Sequence, residues 1–252
     1  MIPATPSAHS KIGEQSHPTY NAELERIVAH TNDTRSFFLR LPAYQCLVFK
    51  PGQFLSFALP IARQVLTRPY SIASDPENGA LVEICFNLVP GGVGSRYLWA
   101  RGIGDVLRFT GPWGTFVYDH SPQSECVFIA EGVGIAPLRP MMKRALRSEA
   151  RMPIRLLYGA ASEDALLYRA EFQAWEKRYA HFHFDALLHD SSVEQGRSNT
   201  SLLEMVKQQY IFSDDDRSRH FYICGVGALV TTIRDLLRQA GYQRRAVQYE
   251  KW

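Results

Sequence analysis

Five short stretches of this 252-residue chain hold residue types whose spacing allows chemistry. In "RPYS", Pro69 keeps Arg68 extended, so a guanidinium, a phenol and a hydroxyl project from one rigid segment. Arg68 can fork onto a phosphate, Tyr70 can stack on a flat ring and Ser71 can donate to a ring nitrogen. An edge strand with ordinary packing would look the same. "GGVGS" (Gly91 to Ser95) opens a short helix expected at Ser95–Arg101 with Ser95 as its N-cap. It reads either as a plain helix cap or as a nest of backbone N–H groups for a diphosphate. In "GVGIAP", Gly132 and Gly134 permit a tight turn and a close backbone approach to a diphosphate. Pro137 follows in the first helical turn, where a missing N–H costs nothing. "YICG" ends an apolar run on Cys224 and Gly225, and Cys224 either borders the same crevice or is a small buried hydrophobe. The last stretch is the C-terminal "VQYEKW". Val247 and Tyr249 alternate there like the end of a buried strand, and Trp252 sits where domains are ordinarily least ordered.

These residues need two kinds of scaffold. From Tyr20 to about Tyr118, "TRSFFLRL", "GQFLSFALP", "VLTRPYSIAS" and "ALVEICFNLV" are short β-like runs. "KPGQ", "DPENGA" and "PGGVG" separate them with turn chemistry, which predicts an antiparallel barrel or sandwich. Polar "DHSPQSE", residues 119–125, reads as a linker. Beyond it "CVFIAEG", "IRLLYGA", "FHFDALL" and "HFYICG" are continuous apolar runs suited to strands buried on both faces. They alternate with helical stretches, which implies parallel strands with crossover helices. The expected chain has two domains: an antiparallel β-barrel over 19–118, then an α/β parallel-sheet nucleotide-binding domain over 126–252. Residues 1–18 read as a disordered lead-in. In such an α/β domain ligands bind beyond the carboxyl ends of the strands, so "GVGIAP" and "YICG" should meet at one crevice.

Hydrophobic residues make up 46% and charged residues 21%, enough for a real core. A net charge of +3 is too mild to argue for nucleic acid. No apolar run reaches the length of a membrane span, and the N-terminus lacks the apolar core of a secretory signal. Cys46, Cys85, Cys126 and Cys224 have no metal-ligand spacing. They read as buried free thiols in a cytoplasmic protein, and no metal site is expected.

Taken in order, "RPYS", "GGVGS", "GPWGTF", "GVGIAP", "YICG" and the aromatic terminus resemble the ferredoxin–NADP reductase superfamily. The resemblance runs from about Tyr20 to Trp252. It implies a Greek-key barrel for FAD and an α/β domain for NADPH or NADH. It puts Arg68, held by Pro69, on the FAD diphosphate, Tyr70 on the isoalloxazine and Ser71 at the flavin N5 edge. Ile72 and Ala73 would pass their backbone along the flavin, and Gly92, Gly94 and Ser95 would hold the diphosphate. Gly132, Gly134 and Pro137 would form the nicotinamide-nucleotide loop, with Cys224 and Gly225 near the nicotinamide. Trp252 would cover the flavin face opposite Tyr70, and Glu250 would stand near the nicotinamide. Ser71, Cys224, Glu250 and Trp252 are thus the implied catalytic set.

The implied function is electron transfer between NAD(P)H and a one-electron carrier such as ferredoxin or flavodoxin. Two alternatives are the reductase component of an oxygenase system and a non-catalytic flavin-binding regulatory subunit. Several positions depart from the family pattern. Glu131 precedes the glycine pair, and "CGVGALV" lacks the proline and methionine of many relatives. Asp190, which suits a ribose hydroxyl, stands where NADP-using relatives carry arginine, while Arg197 matches a phosphate-binding arginine. The choice of nucleotide stays open between them.

Overall fold

The computed structural model describes residues 17–118, 122, 124–149, 151–188 and 200–252, with Thr200 and Ser201 as backbone only. In the first half, alternation of apolar and polar residues sets strands whose every second side chain faces inward. They are β1 (Thr19–Ala29), β2 (Thr34–Arg40), β3 (Phe54–Ile61), β4 (Gln64–Ser71), β5 (Leu81–Asn87) and β6 (Val106–Trp113), with helix α1 (Val93–Trp99) before the last. Phe37 and Leu39 of β2, and Leu55, Phe57 and Leu59 of β3, are buried against Phe109 of β6 in one core. β1 and β6, where apolar residues are interleaved with charges, complete the sheet beyond the four runs expected.

The antiparallel order is β4-β3-β6-β1-β2-β5. A bridge between Ile72 and Ile84, and a 2.8 Å bond from the Ala73 N–H to the Glu83 carbonyl, join the segment after β4 to β5. The sheet therefore closes into a barrel of order 1-2-5-4-3-6, a Greek-key path. α1 starts at Val93, two residues before the expected position, with Gly92 at the N-cap. Ser95 is inside the first turn and does not cap it. Its Oγ accepts from the Val89 N–H (3.0 Å) and donates to the Gly92 carbonyl (3.3 Å), so it locks the preceding loop.

The second half alternates β7 (Cys126–Glu131), α2 (Ile135–Leu146), β8 (Ile154–Ala160), α3 (Arg169–Arg178), β9 (Phe182–Leu188), α4 (Thr200–Lys207), β10 (His220–Gly225), α5 (Ala228–Gln239) and β11 (Val247–Lys251). All strands are parallel, in the order β11-β10-β7-β8-β9. Both faces are covered, as the continuous apolar runs require. Phe128, Tyr158 and Tyr222 pack under α2 and α3, while Val127, Ile129, Leu157 and Ile223 pack under α4 and α5. Ala73, Cys85, Phe116 and Tyr118 from the barrel side join the first of these cores, so apolar packing is continuous across the domain boundary.

Two local expectations change. Cys46 is exposed, while Cys85, Cys126 and Cys224 are buried. In β11, Val247 is buried but Tyr249 is not, and its ring lies under the Arg234 guanidinium at 4.6 Å. Among the described residues no helix is long and apolar enough to cross a membrane.

Candidate active site

The chain runs outward from β7 through β8 to β9, then returns to β10 and β11 on the other side of β7. The carboxyl ends of β7 and β10 thus flank a topological switch point, where sheets of this kind bind ligands. Gly132, with φ of +52°, turns the chain out of β7 into a short helical turn that leads into α2. A Cβ on Gly134 would stand 2.2 Å from the Cys224 carbonyl oxygen and 2.7 Å from the Gly225 Cα. The two loops therefore touch backbone to backbone, and only glycine fits there. The Tyr158 hydroxyl fixes this junction by donating to the Gly132 carbonyl (3.0 Å) and accepting from the Leu167 N–H (3.2 Å). Pro137 is buried in the first turn of α2.

Across the domain boundary lies the end of β4. Tyr70 is half-buried, held edge-to-face by Phe57 and Phe86 at ring separations of 5.6 and 5.5 Å. Burial pushes its phenol up to about 12 against the opposing pull of Arg68, so the hydroxyl keeps its proton. Ser71 is 6% exposed and its hydroxyl makes no hydrogen bond among the described residues; Ile72 and Ala73 are fully buried. Arg68 is exposed, and a Cβ on Gly94 would come within 2.7 Å of its Cγ. The start of α1 therefore lies directly on the arginine stem. Gly92 is equally confined, but by its own loop: its Cβ would meet Ser95 Oγ at 2.8 Å.

The C-terminal strand brings the remaining residues together. Parallel pairing of β10 with β11 sets Cys224 opposite Glu250. The Trp252 N–H then donates to the Gly225 carbonyl (3.1 Å). The Trp252 ring meets Phe54 edge-on, with centroids 6.1 Å apart and planes at 87°. Phe54 is in turn the β3 partner of Ser71. Burial and the Glu250 carboxylate push the Cys224 thiol up, outweighing hydrogen bonds from the Trp252 side chain and the Gly225 backbone. Burial also raises Glu250 to about 7, and its Oε2 is buried with no hydrogen-bond partner among the described residues. Beside this junction an open cleft of about 730 Å³ runs between the β1–β2 turn and the loops after β7 and β8, lined by His30, Asp33, Asn87, Gly132, Ala161 and Asp164. Asp190 and Arg197 lie outside the described residues.

Sequence reasoning passed over Phe54, Glu83, Arg139 and Tyr168. Glu83 is 3% exposed and accepts from Ser36 Oγ (2.7 Å), Tyr168 OH (2.7 Å) and Arg139 Nη1 (2.8 Å). The signal was present as a lone acid in "LVEICF" and a lone base in "APLRPMM", since an isolated charge in a buried run needs a partner. Nothing in the sequence marked Phe54. Among the described residues, no three His, Cys, Asp or Glu side chains are grouped to hold a metal ion.

Comparison with known proteins agrees with this geometry. Residues 21–118 match the oxidoreductase FAD-binding domain family, and residues 128–235 match the oxidoreductase NAD-binding domain family. The chain is 30% identical over 213 residues to ferredoxin–NADP reductase B of Sorangium cellulosum, covering 82% of this chain and 87% of that one. It is 25% identical over 248 residues to the toluate 1,2-dioxygenase electron transfer component of Pseudomonas putida, covering 97% of this chain and 71% of that one. The fold is also that of a ferredoxin NADP+ reductase from Neisseria gonorrhoeae solved with bound FAD and NADP, with a TM-score of 0.76, 20% identity and coverage of 92% of this chain and 98% of that one. A cytochrome P450 reductase from Amycolatopsis superposes with a TM-score of 0.78 at 24% identity, covering 97% of this chain and 73% of that one. With a closed barrel, a parallel sheet and a glycine-lined switch point between them, this chain belongs to the ferredoxin–NADP reductase family and is an FAD- and NAD(P)-dependent oxidoreductase.

Proposed function

We propose that this protein passes electrons from NAD(P)H to a separate one-electron carrier protein of the ferredoxin or flavodoxin kind. The observation that carries this reading is the orphaned Oε2 of Glu250, buried opposite Cys224 on the terminal strand whose Trp252 ring meets Phe54, the strand partner of Ser71. A buried carboxyl without a partner is costly, and a ligand that brings a donor relieves it. The residues present suit both nucleotides. The Arg68 stem packs directly on Gly94 at the start of α1, which brings a guanidinium to that helix start for a diphosphate. Gly132 lines the 730 Å³ cleft and has open space where a Cβ would be.

When bound, the flavin supplies the exchange between two-electron and one-electron chemistry; the protein supplies position and electrostatics. In this reading Arg68 and the start of α1 would hold the FAD diphosphate, with Tyr70 against the ring and Ser71 at its edge. Trp252 would cover the opposite face and yield it to the nicotinamide. Glu250, near neutral pKa, holds or releases a proton at Oε2 beside the nicotinamide site. The neutral Cys224 thiol closes the crevice floor without adding charge. The similarity to oxygenase electron transfer components favours a second acceptor class, an oxygenase partner reached through the same carrier step.

Anaerobic mixing of the FAD-loaded protein with NADH and with NADPH tests the proposal, followed by addition of ferredoxin and flavodoxin. Bleaching of the flavin by at least one nucleotide, and reoxidation by a one-electron carrier, are expected. A flavin that neither nucleotide reduces would leave a non-catalytic flavin-binding subunit as the correct reading.

A further inference from the structure

Outside the site, Glu83 is a buried carboxylate held by three side-chain donors. It belongs to the barrel, yet two of its three side-chain donors, Arg139 and Tyr168, come from the α/β domain. Arg139, on α2, spans the boundary with its whole fork. Its Nη1 donates to Glu83 (2.8 Å) and to the Ala73 carbonyl (2.9 Å), while its Nε donates to Glu171 of α3 (2.6 Å). The Tyr168 ring lies under the guanidinium at 4.2 Å. Tyr168 also takes a left-handed backbone, φ 58°, a conformation that costs a bulky residue and that sends its hydroxyl onto Glu83.

A buried ion pair contributes little net stability compared with apolar packing, because both charges must leave water. What it adds is geometry: a fork bonded on both edges has one arrangement, whereas apolar faces can slide. The ends of this fork are placed to matter. Ala73 is two residues beyond Ser71 on one side, and Arg139 is one turn into α2, whose N-cap is Gly134, on the other. His30, which lines the nucleotide-sized cleft, has its Nε2 2.8 Å from Ser36 Oγ, which in turn bonds Glu83.

We propose that Glu83 is a positioning residue that, through Arg139, fixes the segment carrying Ser71 against the helix start carrying Gly134, and so sets the separation of the two nucleotides. This rests on the function proposed above. Misplacement by about 1 Å at a reacting centre costs on the order of a hundredfold in rate, so loosening this fork should be visible in kcat before it is visible in binding.

The test uses the FAD-loaded protein carrying Glu83→Gln, with Tyr168→Phe as a milder variant that leaves the ion pair intact. For Glu83→Gln the limiting rate of flavin reduction at saturating nucleotide should fall about tenfold or more, with FAD content and KM within about threefold of wild type. Hydrogen exchange should rise in peptides covering residues 71–74 and the start of α2, and stay unchanged in β1 and β9. Tyr168→Phe should move both readouts in the same direction by less. An unchanged limiting rate together with unchanged exchange overturns the proposal. So does loss of FAD content in proportion to rate in both variants, which would make Glu83 a folding residue. The exchange comparison needs no nucleotide, so it decides the role of Glu83 even where the redox assay fails.

Discussion

The last residue of the α/β domain, Trp252, meets the first residue of β3, Phe54, edge-to-face across the domain boundary at 6.1 Å and 87°. Such a pair is worth about 0.5–1.5 kcal/mol beyond the area it buries. That is enough to seat a chain end, and little enough for a ligand to displace it. Trp252→Ala should therefore tighten nucleotide binding by about two- to tenfold, since the ring no longer competes for its place. The flavin absorption spectrum should change while the unfolding temperature stays within a few degrees. Titration of the FAD-loaded variant with NAD+ and NADP+ checks this; unchanged affinity and spectrum would make Trp252 a plain packing residue.

The two glycines of the β7–α2 loop should respond differently to the same substitution. A Cβ at Gly134 would collide at 2.2 Å with the backbone oxygen of Cys224, which cannot swing away as a side chain can. Gly134→Ala should destabilise by about 3 kcal/mol or more, or fail to accumulate as folded protein. Gly132 has nothing within reach of a Cβ, and its φ of +52° is the only obstacle. Gly132→Ala should cost about 1–2 kcal/mol. Urea unfolding of the two variants separates close approach from backbone strain.

Much of this was legible before any coordinates. The continuous apolar runs gave the parallel sheet because both of its faces had to be covered. "GVGIAP" and "YICG" could be put at one crevice because strand order forces carboxyl ends together. Pairwise contact was not legible. That Gly134 packs against the Cys224 carbonyl depends on how close β7 and β10 come, which no spacing encodes. Ser95 illustrates the same limit. Its type suits a helix cap, but the helix starts earlier and its hydroxyl turns back to Val89. The Glu83–Arg139 pair was marked by two isolated charges in apolar runs, yet their mutual assignment needs the two domains docked.

Arg68 tests the flavin end of the site. Its stem rests on α1 at Gly94 and its guanidinium bonds only the neighbouring Thr67 carbonyl (2.8 Å) among the described residues, so it is free to turn to an anion. A hydrogen bond to a charged group contributes about 1.5–3 kcal/mol. Arg68→Met keeps the apolar stem and removes the charge, so FAD affinity should fall by roughly ten- to a hundredfold with the fold intact. Fluorescence titration with FAD measures it. Equal retention of flavin by variant and wild type through gel filtration at low concentration would remove Arg68 from the diphosphate site.

Glu250 makes a pH-dependent prediction whose sign follows from its burial. Its folded pKa of about 7 lies above the 4.5 of an unperturbed glutamate, so between those values the folded state holds a proton that the unfolded state has lost. Stability must then fall as pH rises from about 4.5 to 7 and level off above 7, the reverse of the usual salt-bridged carboxylate. The full difference is on the order of 3 kcal/mol. Glu250→Gln removes it, so wild type and variant should be close in stability near pH 5 and diverge by pH 8, with the variant the more stable. The rate of flavin reduction in wild type should also carry a titration near pH 7 that the variant lacks. Parallel stability curves for the two proteins across this range would mean that Glu250 is solvated in the folded state, and its Oε2 would then have no claim on the nicotinamide site.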